Sequence, residues 1–158
     1  MTTTYDVSAS ALLPVTPEVA FDVLLDAPIE DILGDRTGLI PPVVETRGQG
    51  GAWGTPGQSR TFVLGDGGTI LETLVAADRA TCDYRYRLTD VTGPMKLLVT
   101  YVDGRFSFVP EGAGTRVTWS WALHPAHAVA RLAMPVFAVF WRRAAAKMFD
   151  RLGSRLPA

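Results

Sequence analysis

The chain has one cysteine in 158 residues, so an internal disulfide is excluded. A reduced, cytoplasmic setting fits that usage. Histidine is almost as scarce. His124 and His127 are the only two, and Pro125 lies between them. A zinc centre needs three or four ligands, so capping or surface roles are expected, with no metal and no cofactor. Charge of one sign is also missing. Fifteen basic residues face sixteen acidic ones, for a net charge of −1. That balance gives no electrostatic case for nucleic acid, whose binding rests on clustered Lys and Arg. No apolar run is long enough to span a membrane. The longest, Leu132–Trp141, is closed by Arg131, Arg142 and Arg143 and falls short of the roughly 20 residues required. The opening MTTTYDVSAS has no basic start and no apolar stretch of about 7–15 residues, so no export signal is expected. There is no G-x-S-x-G motif, and Cys82 has no evident histidine partner, so no catalytic nucleophile emerges.

What is present is a strongly patterned β segment. An apolar fraction of 47% with 20% charged residues suits one folded domain over residues 1–158. From Gly65 to Pro125 four runs carry strand signatures. Thr69–Ala76 is rich in β-branched and aliphatic residues. Thr81–Leu88 sets Cys82, Tyr84, Tyr86 and Leu88 against Asp83, Arg85 and Arg87. Leu98–Val109 carries Val102, Phe106 and Phe108, and Thr115–His124 sets Val117, Trp119, Trp121 and Leu123 against Arg116, Thr118 and Ser120. Period-two alternation marks strands with one buried face, and Asp66-Gly67-Gly68 and Pro110–Gly114 supply turns between runs. The buried face is rich in aromatic residues.

Around this meander, Tyr5–Leu13 reads as a first strand. Thr16 is a plausible N-cap, Pro17 suits the first helical position, and Glu18 suits the positive end of the dipole, predicting a helix to Asp26. Pro28–Leu33 predicts a second short helix, ended by Gly34. Asp35–Pro42 is a connector, followed by strands at Val43–Arg47 and Ser59–Leu64. Between them lies RGQGGAWGTPGQSR, glycine-rich but without a following Lys-Ser or Lys-Thr, and leading into a strand rather than a helix. It is therefore not a phosphate loop, and a long mobile hairpin loop with Trp53 near its tip is expected. After Pro125 a helix is predicted to Gly153, kinked at Pro135, with Phe137, Phe140, Trp141, Ala144, Met148 and Leu152 on one face. Its first half is apolar nearly all round, and the Leu132–Trp141 surface is the candidate for contact with a second copy.

The expected fold is α+β: a curved antiparallel sheet of about seven strands wrapped around a long C-terminal helix, with two short helices after the first strand. An amphipathic helix packs on the apolar face of the sheet, and a twisted sheet curling around it leaves space between them.

Element order over nearly the whole chain resembles the START/Bet v 1-like (SRPBCC) superfamily with its helix-grip fold. GTILETLVAAD, TCDYRYRL and FVPEGAGTRVTW followed by His-Pro are similar to the polyketide cyclase/dehydrase-like and abscisic-acid-receptor-like branch. The resemblance implies that Glu72 matches a third-strand glutamate that reaches the pocket. Its strand is apolar on both parities, so the pattern leaves Glu72 facing either a pocket or Arg85 and Arg87 across the sheet. The receptor-like proteins also carry a second-strand lysine and a gate-loop sequence. Val43–Thr46 has no lysine, and Gly65-Asp66-Gly67-Gly68 stands in place of the gate loop, so a neutral or differently anchored ligand is implied.

The expected pocket wall is Tyr84, Tyr86, Phe106, Trp119 and Trp121 from the sheet and Phe137 and Trp141 from the helix, with Glu72 as the polar contact. Three functions follow: a binder of a small hydrophobic molecule of lipid, polyketide or isoprenoid type, a polyketide cyclase/dehydratase-like enzyme using Glu72, or a protein-interaction module.

Overall fold

The first helix starts where its caps dictate. Thr16 accepts the Val19 amide at 3.3 Å, Pro17 opens the helix, and α1 (Pro17–Asp26) buries Ala20, Phe21 and Leu24. Before it runs β1 (Tyr5–Leu13), and after it the short α2 (Ile29–Ile32). The remaining strands are β2 (Val43–Arg47), β3 (Ser59–Leu64), β4 (Thr69–Asp78), β5 (Asp83–Thr89), β6 (Val99–Glu111) and β7 (Gly114–Pro125), with a 3-10 turn at Pro94–Leu97 before β6. The chain closes with α3 (Ala128–Gly153). The computed structural model describes residues 3–157; the first two residues of the segment read for an export signal, and residue 158, lie outside them.

All seven strands form one antiparallel sheet in the order β1-β7-β6-β5-β4-β3-β2. Register shifts interrupt three pairings, at Val43/Glu45, Leu74/Ala76 and Val99/Tyr101. An extra residue on one strand bends it and increases its twist. The sheet thereby curls, and α3 lies against β1, β7 and α2. Among the described residues no helix is long and apolar enough to cross a membrane.

The helix continues through Pro135, and the inward stripe of α3 differs from the expected one. Met134, Ala138, Trp141, Ala145, Met148 and Leu152 are buried, whereas Phe137 and Phe140 are half-buried. The small residues Ala138 and Ala145 let the helix approach the sheet, and a pattern weighted by side-chain size overlooks them. Phe140 instead packs on the connector at Gly38, where a Cβ would come within 2.2 Å of its ring. The backbone there is left-handed (φ +56°), as only glycine readily allows. Leu132, Val136 and Val139 stay exposed. His127 caps α3, its Nδ1 accepting the Ala130 amide at 3.1 Å.

The 48–58 segment departs most from expectation. Trp53 is buried, 5% exposed, rather than at a mobile tip. Gln58 Oε1 accepts the amides of Gly54 and Thr55 at 2.8 and 2.7 Å, and Gln58 Nε2 donates to the Ala52 carbonyl at 3.0 Å. One side chain satisfies three backbone groups and folds the loop onto the sheet.

Candidate functional site

Between the concave face of the sheet and α3 lies a cavity of about 110 Å3. Alternation along β4, β5, β6 and β7 places Ile70 and Glu72, Tyr84, Tyr86 and Leu88, Phe106, and Trp119 and Trp121 on its wall. Trp141, Ala144 and Met148 supply the helix side. Thr37, Ile40 and Pro41 of the connector close one end, where Asp35 and Lys147 are exposed.

Of the residues expected to form the site, Glu72, Tyr84, Tyr86, Phe106, Trp119, Trp121 and Trp141 come together on this wall. Phe137 does not line the cavity. It sits behind Trp121, with ring centroids 6.4 Å apart, while Trp141, one turn further along α3, faces the cavity as expected. The aromatic rings support one another: Phe106 stacks on Trp119 at 5.6 Å, and Trp119 lies 4.6 Å from Trp141.

The polar tips are organised rather than scattered. Tyr86 Oη accepts the indole N–H of both Trp119 and Trp121, each at 2.7 Å. Tyr84 Oη accepts the Trp53 N–H at 2.8 Å. Burial pushes both phenols up from their ordinary range, so they stay neutral donors at physiological pH. Gly104 makes the Tyr86 arrangement possible. It lies directly opposite Tyr86 and Trp121 in the sheet, and a Cβ there would meet the Tyr86 ring at 2.1 Å. A glycine inside a strand is a sequence signal of this kind of close approach.

Glu72 is 4% exposed and lines the cavity. Its partner is neither Arg85 nor Arg87 but Arg60, directly opposite on β3, with Nε donating to Oε1 at 2.6 Å. Burial pushes the Glu72 carboxyl up, against the opposing pull of the guanidinium. Arg60 also donates to Gln49 Oε1 at 3.0 Å, and its guanidinium lies 3.9 Å over the Trp53 ring. The loop, the cation and the carboxylate are therefore one unit. Arg60 was not anticipated, although it shares strand parity with Phe62 and Leu64 and so had to point inward.

On the outer face Arg87 of β5 pairs across the strands with Asp103 of β6 at 2.7 Å. His124 approaches the same carboxylate at 3.1 Å and stacks on Tyr101. Among the described residues no three His, Cys, Asp or Glu side chains gather as metal ligands.

A curved seven-stranded sheet gripping a long helix over an aromatic cavity defines a helix-grip protein of the START/Bet v 1-like superfamily. The chain belongs to the family described as polyketide cyclase/dehydrase and lipid transport, which it matches over residues 4–157. Similar solved structures include major latex-like protein 151 from Panax ginseng, at TM-score 0.72 and 11% identity with 99% of each chain covered. Norcoclaurine synthase from Thalictrum flavum, solved in complex with dopamine and hydroxybenzaldehyde, superposes at TM-score 0.69 and 17% identity, covering 97% of this chain and 86% of that one. Ara h 8.0201 superposes at TM-score 0.65 and 19% identity over 96% of each chain. At such identities the likeness is one of fold. No curated protein matches the chain by sequence.

Proposed function

We propose that the protein binds a small hydrophobic molecule of polyketide, isoprenoid or lipid type in the cavity between sheet and α3. The observation that carries this reading is free space inside an aromatic wall. A well-packed core leaves few voids larger than a water molecule, whereas this one is about 110 Å3. An apolar cavity of roughly 150 Å3 takes up benzene. This cavity is of that order, so a single ring is the natural occupant, with movement of the Asp35–Pro42 connector making room for its substituents. The buried Arg60 is already paired with Glu72, which favours a neutral ligand over an acidic one. The dopamine and hydroxybenzaldehyde of the norcoclaurine synthase complex are ligands of this one-ring size.

The test fills the space. Ala144 is buried and lines the cavity. Ala144→Leu is expected to abolish uptake of a one-ring hydrocarbon, read by native mass spectrometry and tryptophan fluorescence, in a protein that remains folded. Undiminished uptake would place the ligand elsewhere.

A second reading is a cyclase/dehydratase-like enzyme with Glu72 as its acid–base group. Its support is the family description together with a carboxyl that burial pushes toward the range useful for proton transfer. Under this reading the wild type accelerates α-proton exchange of cyclohexanone in D2O, and Glu72→Gln loses the acceleration while still binding the ketone. Equal exchange rates would remove Glu72 from the chemistry.

A further inference from the structure

Two indole donors converge on Tyr86 Oη, each at 2.7 Å, and fill the accepting side of that oxygen. The phenol stays protonated because burial opposes its ionisation. Among the described residues no acceptor takes the Tyr86 hydroxyl proton. Tyr86 is thus a donor only, held in place by Trp119 and Trp121 and accommodated by Gly104. An oxygen that accepts two hydrogen bonds also donates more strongly, since linked hydrogen bonds polarise one another. Two further polar atoms belong to residues of the same wall, Thr37 Oγ1 and Trp141 Nε1, and both are buried without a partner. Buried polar groups in native proteins are almost always satisfied, so unpaired donors around one cavity point to what it receives.

Resting on the ligand-binding reading above, we propose that the cavity selects ring compounds carrying a ketone- or enone-type acceptor oxygen, recognised by the Tyr86 hydroxyl. A plain hydrocarbon leaves that hydroxyl unpaired. An alcohol presenting only its proton meets an oxygen whose accepting side is occupied.

The test compares acetophenone with α-methylstyrene, which differ by C=O in place of C=CH2. The wild type is expected to bind the ketone at least as tightly as the alkene, although the ketone loses a carbonyl–water hydrogen bond on entry. The infrared C=O stretch of the bound ketone should lie below its value in hexane. In Tyr86→Phe the ketone should weaken by about five- to tenfold relative to the alkene. An alkene bound more than tenfold tighter, or a C=O stretch at its hexane frequency, overturns this inference and leaves the ligand-binding reading intact. Binding of neither compound overturns both. If Tyr86→Phe does not fold, the wild-type frequency is read against that of Trp141→Phe, whose bound ketone should keep the same shift; a shift lost there moves the contact to the indole and overturns the assignment to Tyr86.

Discussion

The two faces of the sheet carry the same pair in two environments. Arg60 and Glu72 are directly opposed on β3 and β4 at 2.6 Å, and Arg87 and Asp103 are directly opposed on β5 and β6 at 2.7 Å. The first pair has side chains 4% and 5% exposed, the second 51% and 39%. Distance and register match, so the difference in consequence comes from burial and from the further partners each pair has. Outside, water screens each charge and could replace either partner. Inside, each charge has lost its hydration and depends on the other. The inner pair is accordingly built into its surroundings, through Gln49 and the Trp53 ring, and places a carboxylate on the cavity wall.

The largest expected effect comes from breaking the inner pair. Arg60→Met leaves a carboxyl buried without its cation and should cost about 3–5 kcal/mol at neutral pH. The sign of its pH dependence follows from Glu72. Burial already raises that carboxyl above its ordinary 4.5 in the folded state, and losing Arg60 raises it further. Above about pH 4.5 the folded state then binds more protons than the unfolded one, so stability falls as pH rises. Below that pH the carboxyl is neutral in both states and the penalty fades. Urea midpoints between pH 4 and 8 should therefore decline more steeply for Arg60→Met than for the wild type. Adding Glu72→Leu should flatten the curve and recover most of the loss, because an apolar pair of similar volume carries no uncompensated charge. A double variant as unstable as the single one would mean that Arg60 acts through the loop rather than through Glu72.

How much of this was legible in the sequence follows the same division. Strands with one wet face announce themselves, as the alternation of β5 and β7 does, and the Thr16-Pro17-Glu18 start of α1 carries its own capping chemistry. The aromatic wall followed from that parity. What parity could not supply was any contact depending on sheet order or loop path. Glu72 lies on a strand apolar on both parities, and its partner is fixed only once β3 pairs with β4. Trp53 sits among glycines that read as a flexible loop, because the Gln58 hydrogen bonds that fold the loop inward are made to backbone groups. Met134 and Ala138 face inward where Phe137 does not, because bulk is visible in a sequence and closeness of approach is not. Gly104 and Arg60 were readable in principle: one is a lone glycine within a strand, the other a charge on an apolar parity.

The smallest effect is the one that isolates burial as the cause. Arg87→Ala leaves Asp103 half in water, with His124 Nε2 still 3.1 Å away, and removes a guanidinium lying 5.0 Å over the Tyr101 ring. Exposed ion pairs of this kind are worth about 0–1 kcal/mol. In 1 M salt, where the screening length falls to roughly 3 Å, even that should vanish. The Arg60→Met deficit should instead persist in salt, because ions do not enter the space between buried partners. Chemical denaturation of both variants in urea at low and high salt measures the contrast directly. If Arg87→Ala were as costly as Arg60→Met, or if salt erased both deficits alike, the direct cross-strand geometry rather than its burial would set the strength of these pairs. The buried carboxylate would then lose its claim to be an energetically exceptional group on the cavity wall.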